Sequence, residues 1–173
     1  VDLFRAGSDR IVLSTDVRAG GEDEVLTALH ELAINVRRLL GEPAAHLAVT
    51  FPPTTRSLSA YQAFAASNES TDNNQGLALL RKATEIDPEF VSAYRVAGMV
   101  AQGLGNWREL LRWTEEVYRR RDRVSVPERM LIEAQYLEAT YEFDQEIEKL
   151  KAMAGLYPTW SLPADWLAWH HNA

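Results

Sequence analysis

Apolar residues recur at helical spacing along most of this chain. Val25, Leu29, Leu32, Val36 and Leu39 share one face of a segment running from about Glu22 to Leu40, which predicts an amphipathic helix. Glu22, Asp23 and Glu24 stand at its start and Arg37 and Arg38 at its end, both favourable to the helix dipole. Gly41 and Pro43 stop it. Before it, Val1–Phe4 and Arg10–Val17 read as strands joined by a turn at Ala6-Gly7-Ser8-Asp9. Two strands alone are marginal in water, so a β-hairpin here implies a larger sheet upstream of Val1. Residues 41–56 carry Pro43, Pro52 and Pro53 and read as an extended connector. From Ser57 onward every segment is helical, in antiparallel pairs. The expected organisation is an α/β tail over 1–42, a linker over 43–56 and helical repeats over 57–173.

The helical part repeats a phrase. Ala83-Thr-Glu-Ile-Asp-Pro88 closes one helix, Tyr94-Arg-Val-Ala-Gly98 opens the next, and Gly105-Asn-Trp107 turns it back. This pattern resembles the tetratricopeptide repeat (TPR), a helix–turn–helix unit of about 34 residues. In the best repeat Tyr94, Ala97, Gly98, Ala101 and Leu110 fall at packing positions. Gly98, Ala97 and Ala83 are expected to let helices approach closely, and Trp107 to wedge between its two helices. The preceding repeat spans about 57–90 and keeps Gly76, Leu80, Ala83 and Pro88. Its first helix is weaker, with Ala60 and Ala63 and with Phe64 at the small position. The third, about 127–160, keeps Ala134, Leu137, Phe143, Leu150, Met153 and Pro158.

Pro88 and Pro158 are 70 residues apart, two more than two 34-residue units, which places an insertion near Arg119–Val126. Ser125-Val-Pro-Glu128 within it predicts a capping box that restarts the array. Ala164–Ala173 reads as the first helix of a fourth repeat, with Leu167 and Ala168 inward. The fold class expected is therefore mainly α: a solenoid of about three helix pairs plus a terminal helix, preceded by a β-hairpin and one amphipathic helix. Stacking such pairs buries the apolar face that each pair alone leaves open.

The TPR resemblance implies a concave surface lined by the first helix of each pair. By this register Tyr61 and Ala65, then Arg95, Met99 and Gln102, then Leu131, Gln135 and Glu138 face it, and Trp169 extends the row. This is an apolar strip with a few polar groups, suited to an extended peptide or a helix. Some TPR proteins clamp a terminal carboxylate with Lys and Asn at paired inner positions. Arg95 and Met99 stand there in the best repeat, so carboxylate capture is not implied.

Composition narrows the function classes. Of 173 residues 46% are hydrophobic and 25% charged, an ordinary globular mix. The net charge of −7 disfavours a nucleic-acid module. Disulfides and thiolate metal sites are excluded by the lack of cysteine, which fits the cytosol best and a bacterial periplasm almost as well. Apolar runs are too short for a membrane span. The chain opens on Val1 with no signal-like segment and reads as a piece of a longer protein.

Four histidines, His30, His46, His170 and His171, show no metal-ligand spacing, and the last two read as solvent-exposed. Arg119-Arg-Arg-Asp-Arg123 reads as helix-end cations in solvent, with contact to phosphate or an acidic partner as the rarer alternative. Five tryptophans lie in the second half. Trp166 and Trp169, on the unfinished helix, are the ones expected to offer an exposed contact, to a partner or to a second copy. No catalytic constellation, cofactor fingerprint or kinase motif is present.

The order of segments also carries a resemblance. Leu39-Leu-Gly-Glu42 ends the amphipathic helix, Pro53–Tyr61 opens the repeats and Val126–Tyr136 opens a later one. This is similar to the C-terminal region of bacterial serine/threonine kinases or winged-helix regulators, in which a TolB-like segment precedes TPRs. The resemblance implies a non-enzymatic interaction, sensor or scaffold module for a protein or peptide partner, with no cofactor. The alternatives are homo-oligomerisation and nucleic-acid contact through Arg119–Arg123.

Overall fold

In a computed structural model the described residues are 2–4 and 11–172, with side chains described for 14–170. The helices are α1 (Val25–Leu39), α2 (Ala44–Leu47), α3 (Leu58–Glu69), α4 (Asn73–Ile86) and α5 (Val91–Gly103). They are followed by α6 (Trp107–Arg119), α7 (Val126–Ala139), α8 (Phe143–Leu156) and α9 (Ser161–Asn172). From α3 to α9 each helix packs on the next, the arrangement of a repeat-like helical fold.

Among the described residues the packed architecture is helical, with no sheet layer, which corrects the expected β-hairpin of an α/β tail. Asp2–Phe4 (β1) and Ile11–Ser14 (β2) do lie antiparallel, with a register break between Leu3 and Phe4. Three and four residues build no sheet layer, and neither segment packs extensively on a helix. The core is helical because only the helices present continuous apolar faces to one another. The turn assigned to Ala6–Asp9 lies outside the described residues.

Two kinds of turn each occur twice along the stack. After α5 the chain reverses through Gly105 at φ 68°, with Gly105 N–H donating to Gln102 O and Asn106 N–H to Ala101 O at 2.8 and 2.9 Å. After α7 the same pair of bonds recurs at Tyr141 and Glu142, with Tyr141 at φ 62°. Both are Schellman motifs. The second kind follows α4 and α8, while the inserted segment takes its place after α6. Asp87-Pro88-Glu89-Phe90 after α4 and Tyr157-Pro158-Thr159-Trp160 after α8 each close with the fourth N–H donating to the first C=O. Pro forbids helix continuation there, and Phe90 turns inward to 1% exposure.

Leu80, Phe90, Val91, Ala97 and Ile132 form one core across α3–α7, and Leu131, Ala134, Leu150 and Met153 a second across α7–α9. Three local expectations change. Trp107 is 56% exposed; the wedge is Trp113, 5% exposed and 5.7 Å from the Tyr94 ring. Trp107 occupies the first turn of α6, at the exposed end of the helix. A Cβ added to Gly98 would meet Thr114 Oγ1 at 3.5 Å, ordinary contact, so this helix approach does not require glycine. In α1 the expected stripe is rotated: Leu26 and Ala28 are buried whereas Leu29 and Leu39 are 53% and 45% exposed. The connector is not fully extended, since it holds α2, and it is tied down at both ends. Arg37 bonds Glu42 and Thr50, Thr54 bonds Ser92, and Thr55 bonds Asp87.

Candidate functional site

The first helices of successive pairs, α5, α7 and α9, present their inner faces to one cavity of about 290 Å³. Side chains one helical turn apart share a face, so each helix contributes a short ladder. Arg95, Met99 and Gln102 come from α5, Leu131, Gln135 and Glu138 from α7, and Leu162, Trp166 and Trp169 from α9. Seven of the nine residues expected on the concave face therefore lie together; Tyr61 and Ala65 do not line this cavity. Met99 and Trp169 form the open rim at 49% and 58% exposure, and Leu131 is the floor at 2%. Trp166 packs half-buried on the second core.

Polar groups set the character of the walls. Gln102 Nε2 donates to Glu138 Oε1 at 2.9 Å, which ties α5 to α7. Burial pushes the Glu138 carboxyl above the usual range; the Gln102 bond opposes this and nearby Glu146 adds to it. Arg95 Nη1 lies 3.5 Å from Met99 Sδ. Desolvation lowers the Arg95 guanidinium, with Glu128 acting the other way.

Tyr61 is the residue the fold sets apart. It lies with Phe64 in a second cavity, of about 360 Å³, under Leu26, Leu29, His30 and Ala33 of α1. The inner face of the first repeat is thus covered by the chain's own α1 and by Phe51–Pro53, so the continuous row expected from Tyr61 to Trp169 is interrupted. Arg95 borders both cavities.

Several roles differ from the sequence reading. His170 is not solvent-exposed: its side chain is 13% exposed and its Nε2 lies 2.9 Å from Oε1 of fully buried Glu146, which anchors α9 to α8. The His171 side chain lies outside the described residues. The capping box at Ser125 is absent. Ser125 makes no side-chain cap bond, and the Glu128 carboxyl turns into the protein at 0% exposure instead of reaching back. Glu128 was missed as an interior residue because a Glu three positions after a Ser also has the signature of a cap.

Arg120 and Arg121 are committed to the fold at 18% and 30% side-chain exposure, whereas Arg119 and Arg123 stay largely in solvent at 65% and 59%. Arg120 bonds Pro88 O at 2.9 Å, pairs with Glu116 at 2.6 Å and lies 4.6 Å over the Tyr94 ring. Arg121 lies 4.0 Å over Tyr118 and 3.8 Å from Glu133, Arg119 pairs with Glu116, and Arg123 with Glu89. The inserted segment, with its 3-10 turn at Arg121–Arg123, therefore clamps the end of the α3–α4 pair to α6 and α7.

What the α5–α7–α9 cavity offers is an apolar floor, an aromatic rim and a few fixed hydrogen-bonding groups. Among the described residues no group of three or more His, Asp or Glu is placed to hold a metal ion. No helix among them is long and apolar enough to cross a membrane. No protein-family model matches the sequence, and no curated protein matches it.

Proposed function

We propose that this chain is a non-catalytic interaction module that holds a peptide segment of a protein partner in the α5–α7–α9 groove. The observation that carries the reading is the convergence of three inner helix faces on one cavity, with Trp169 and Met99 left exposed at its mouth. Large, partly exposed apolar side chains around a concave floor are the usual anchors of peptide recognition. The reading also leans on the resemblance of the recurring turns and helix pairs to tetratricopeptide repeats. By the same resemblance, the natural setting is a larger bacterial signalling protein in which this module serves as sensor or scaffold.

The test is selection of a peptide library on the chain, followed by titration of the enriched peptides against the variant Trp169→Ala/Met99→Asp. Both positions are exposed, so the fold should survive, which circular dichroism checks. A loss of affinity of tenfold or more, about 1.4 kcal/mol, is expected. Equal binding to both proteins removes the groove from the function. A second copy is the rival occupant, because Leu162 and Trp169 on α9 are exposed. Sedimentation velocity that shows a concentration-dependent dimer, abolished by Trp169→Ala, would favour that reading instead.

A further inference from the structure

The cavity beneath α1 differs in kind from the groove. Phe51, Tyr61, Phe64 and Phe90 give it aromatic walls, and Leu26 and Leu29 of α1 form its roof. Its volume, about 360 Å³, is at the small end of the range for small-molecule pockets. Into these apolar walls the fold places Glu128. The side chain is 0% exposed and both carboxyl oxygens are buried without a hydrogen-bond partner. Arg95, which also borders the cavity, has a buried Nε with no partner. Of the other polar side chains there, Ser92 is engaged by Thr54. His30 belongs to the roof.

Buried polar groups in native proteins are almost always paired, so an orphaned carboxyl beside an orphaned guanidinium nitrogen calls for a partner. The unmet needs are acceptors on Glu128 and one donor on Arg95. The two side chains also balance each other in charge, so a neutral ligand adds no net charge to a desolvated site. A primary carboxamide supplies N–H donors to the carboxylate and a C=O acceptor to Arg95 Nε from one flat group. It suits the protonated carboxyl as well, through a paired O–H···O and N–H···O ring. Burial pushes the Glu128 carboxyl above the usual range, against the opposing charge of Arg95. An ammonium group would require the ionised form and would place a second cation beside Arg95. We propose that this cavity is a binding site for a small aromatic primary carboxamide, with the ring among Phe51, Tyr61, Phe64 and Phe90 and the amide on Glu128 and Arg95.

The site is tested on the whole chain by calorimetry and ligand-observed NMR with benzamide as the probe. Acetophenone, which replaces the amide nitrogen by a methyl group, and benzylamine, which offers a cation, are the comparators. Benzamide is expected to bind at about millimolar concentration or tighter and at least tenfold better than either comparator. Glu128→Leu removes the acceptors and should erase the preference over acetophenone. Ala33→Trp, on α1, should block both by filling the cavity. Equal affinity for benzamide and acetophenone in the unaltered protein overturns the proposal, as does tighter binding of benzylamine. Absence of benzamide binding at about 10 mM overturns it too.

Discussion

Tyr141 sits where its fold asks for glycine, and exchanging residues between two turns of identical geometry measures how much that matters. Gly105 and Tyr141 have φ of 68° and 62° and end α5 and α7 with the same two backbone bonds. A non-glycine residue in the left-handed region costs about 1–2 kcal/mol. Tyr141→Gly relieves that strain. Against it stand the extra freedom of glycine in the unfolded chain, about 0.5–1 kcal/mol, and a ring contact. The ring of Tyr141 meets Phe143 edge-on at 5.9 Å but is 67% exposed. Its loss is worth less than about 0.5 kcal/mol. The net expectation is a small stabilisation, on the order of 0.5 kcal/mol. Gly105→Ala is the mirror experiment. Nothing lies within 4 Å of an added Cβ there, so the cost is backbone strain alone. Reduced unfolded-state freedom offsets part of it, leaving a loss of about 1 kcal/mol. Urea denaturation followed by far-UV circular dichroism reads both as shifts in midpoint at constant slope. A lower midpoint for Tyr141→Gly together with a higher one for Gly105→Ala would refute the reasoning.

Three other expectations follow from buried or helix-interior positions. Glu128, Glu138 and Glu146 are all raised above the usual carboxyl range by burial; their stability contribution is present at acid pH and is lost as pH rises through the folded values. Thermal melts of Glu128→Gln should accordingly fall less steeply with rising pH than those of the unaltered chain, and a parallel decline would count against the assignment. His170→Ala leaves Glu146 buried without its partner and should destabilise by about 1–3 kcal/mol. Adding Glu146→Leu should restore most of this in urea melts; no recovery would mean that the His170–Glu146 contact is incidental. Gly98→Ala, inside α5 with room for the methyl group, should raise the melting midpoint by roughly the helix-propensity difference, about 0.5–1 kcal/mol; a drop would show that α5 and α6 are packed more tightly than 3.5 Å allows.

The helix pairs were legible because their signals are local. Periodicity located α1 and the terminal helix to within a few residues and the helix pairs between them by their anchors, and Gly105 and Pro88 marked the two kinds of turn. The inner ladder Arg95-Met99-Gln102 was equally legible, since residues one turn apart must share a face. What escaped depends on contacts distant in sequence. Trp107 and Trp113 are equally apolar, and only the placement of α5 decides which is buried. Glu128 has a cap signature, and its burial near Arg95 depends on residues distant in sequence. The rotated face of α1 reflects what it rests on rather than its own amphipathicity. β1 and β2 carried a strand pattern but too little area to form a layer.

The clamp around the inserted segment has a mechanical consequence. A stack of helix pairs behaves like a coil spring, with compliance distributed over its inter-repeat joints. Here one joint is stiffened. Arg120 and Arg123 reach back to residues 88 and 89 while Arg121 reaches forward to Glu133. The two extra residues thus fix the angle between neighbouring coils, and with it the separation of α5 from α7. Strain applied along the stack meets its resistance at this joint, because opening it requires breaking the bonds to residues 88 and 89 and the pair with Glu133 together.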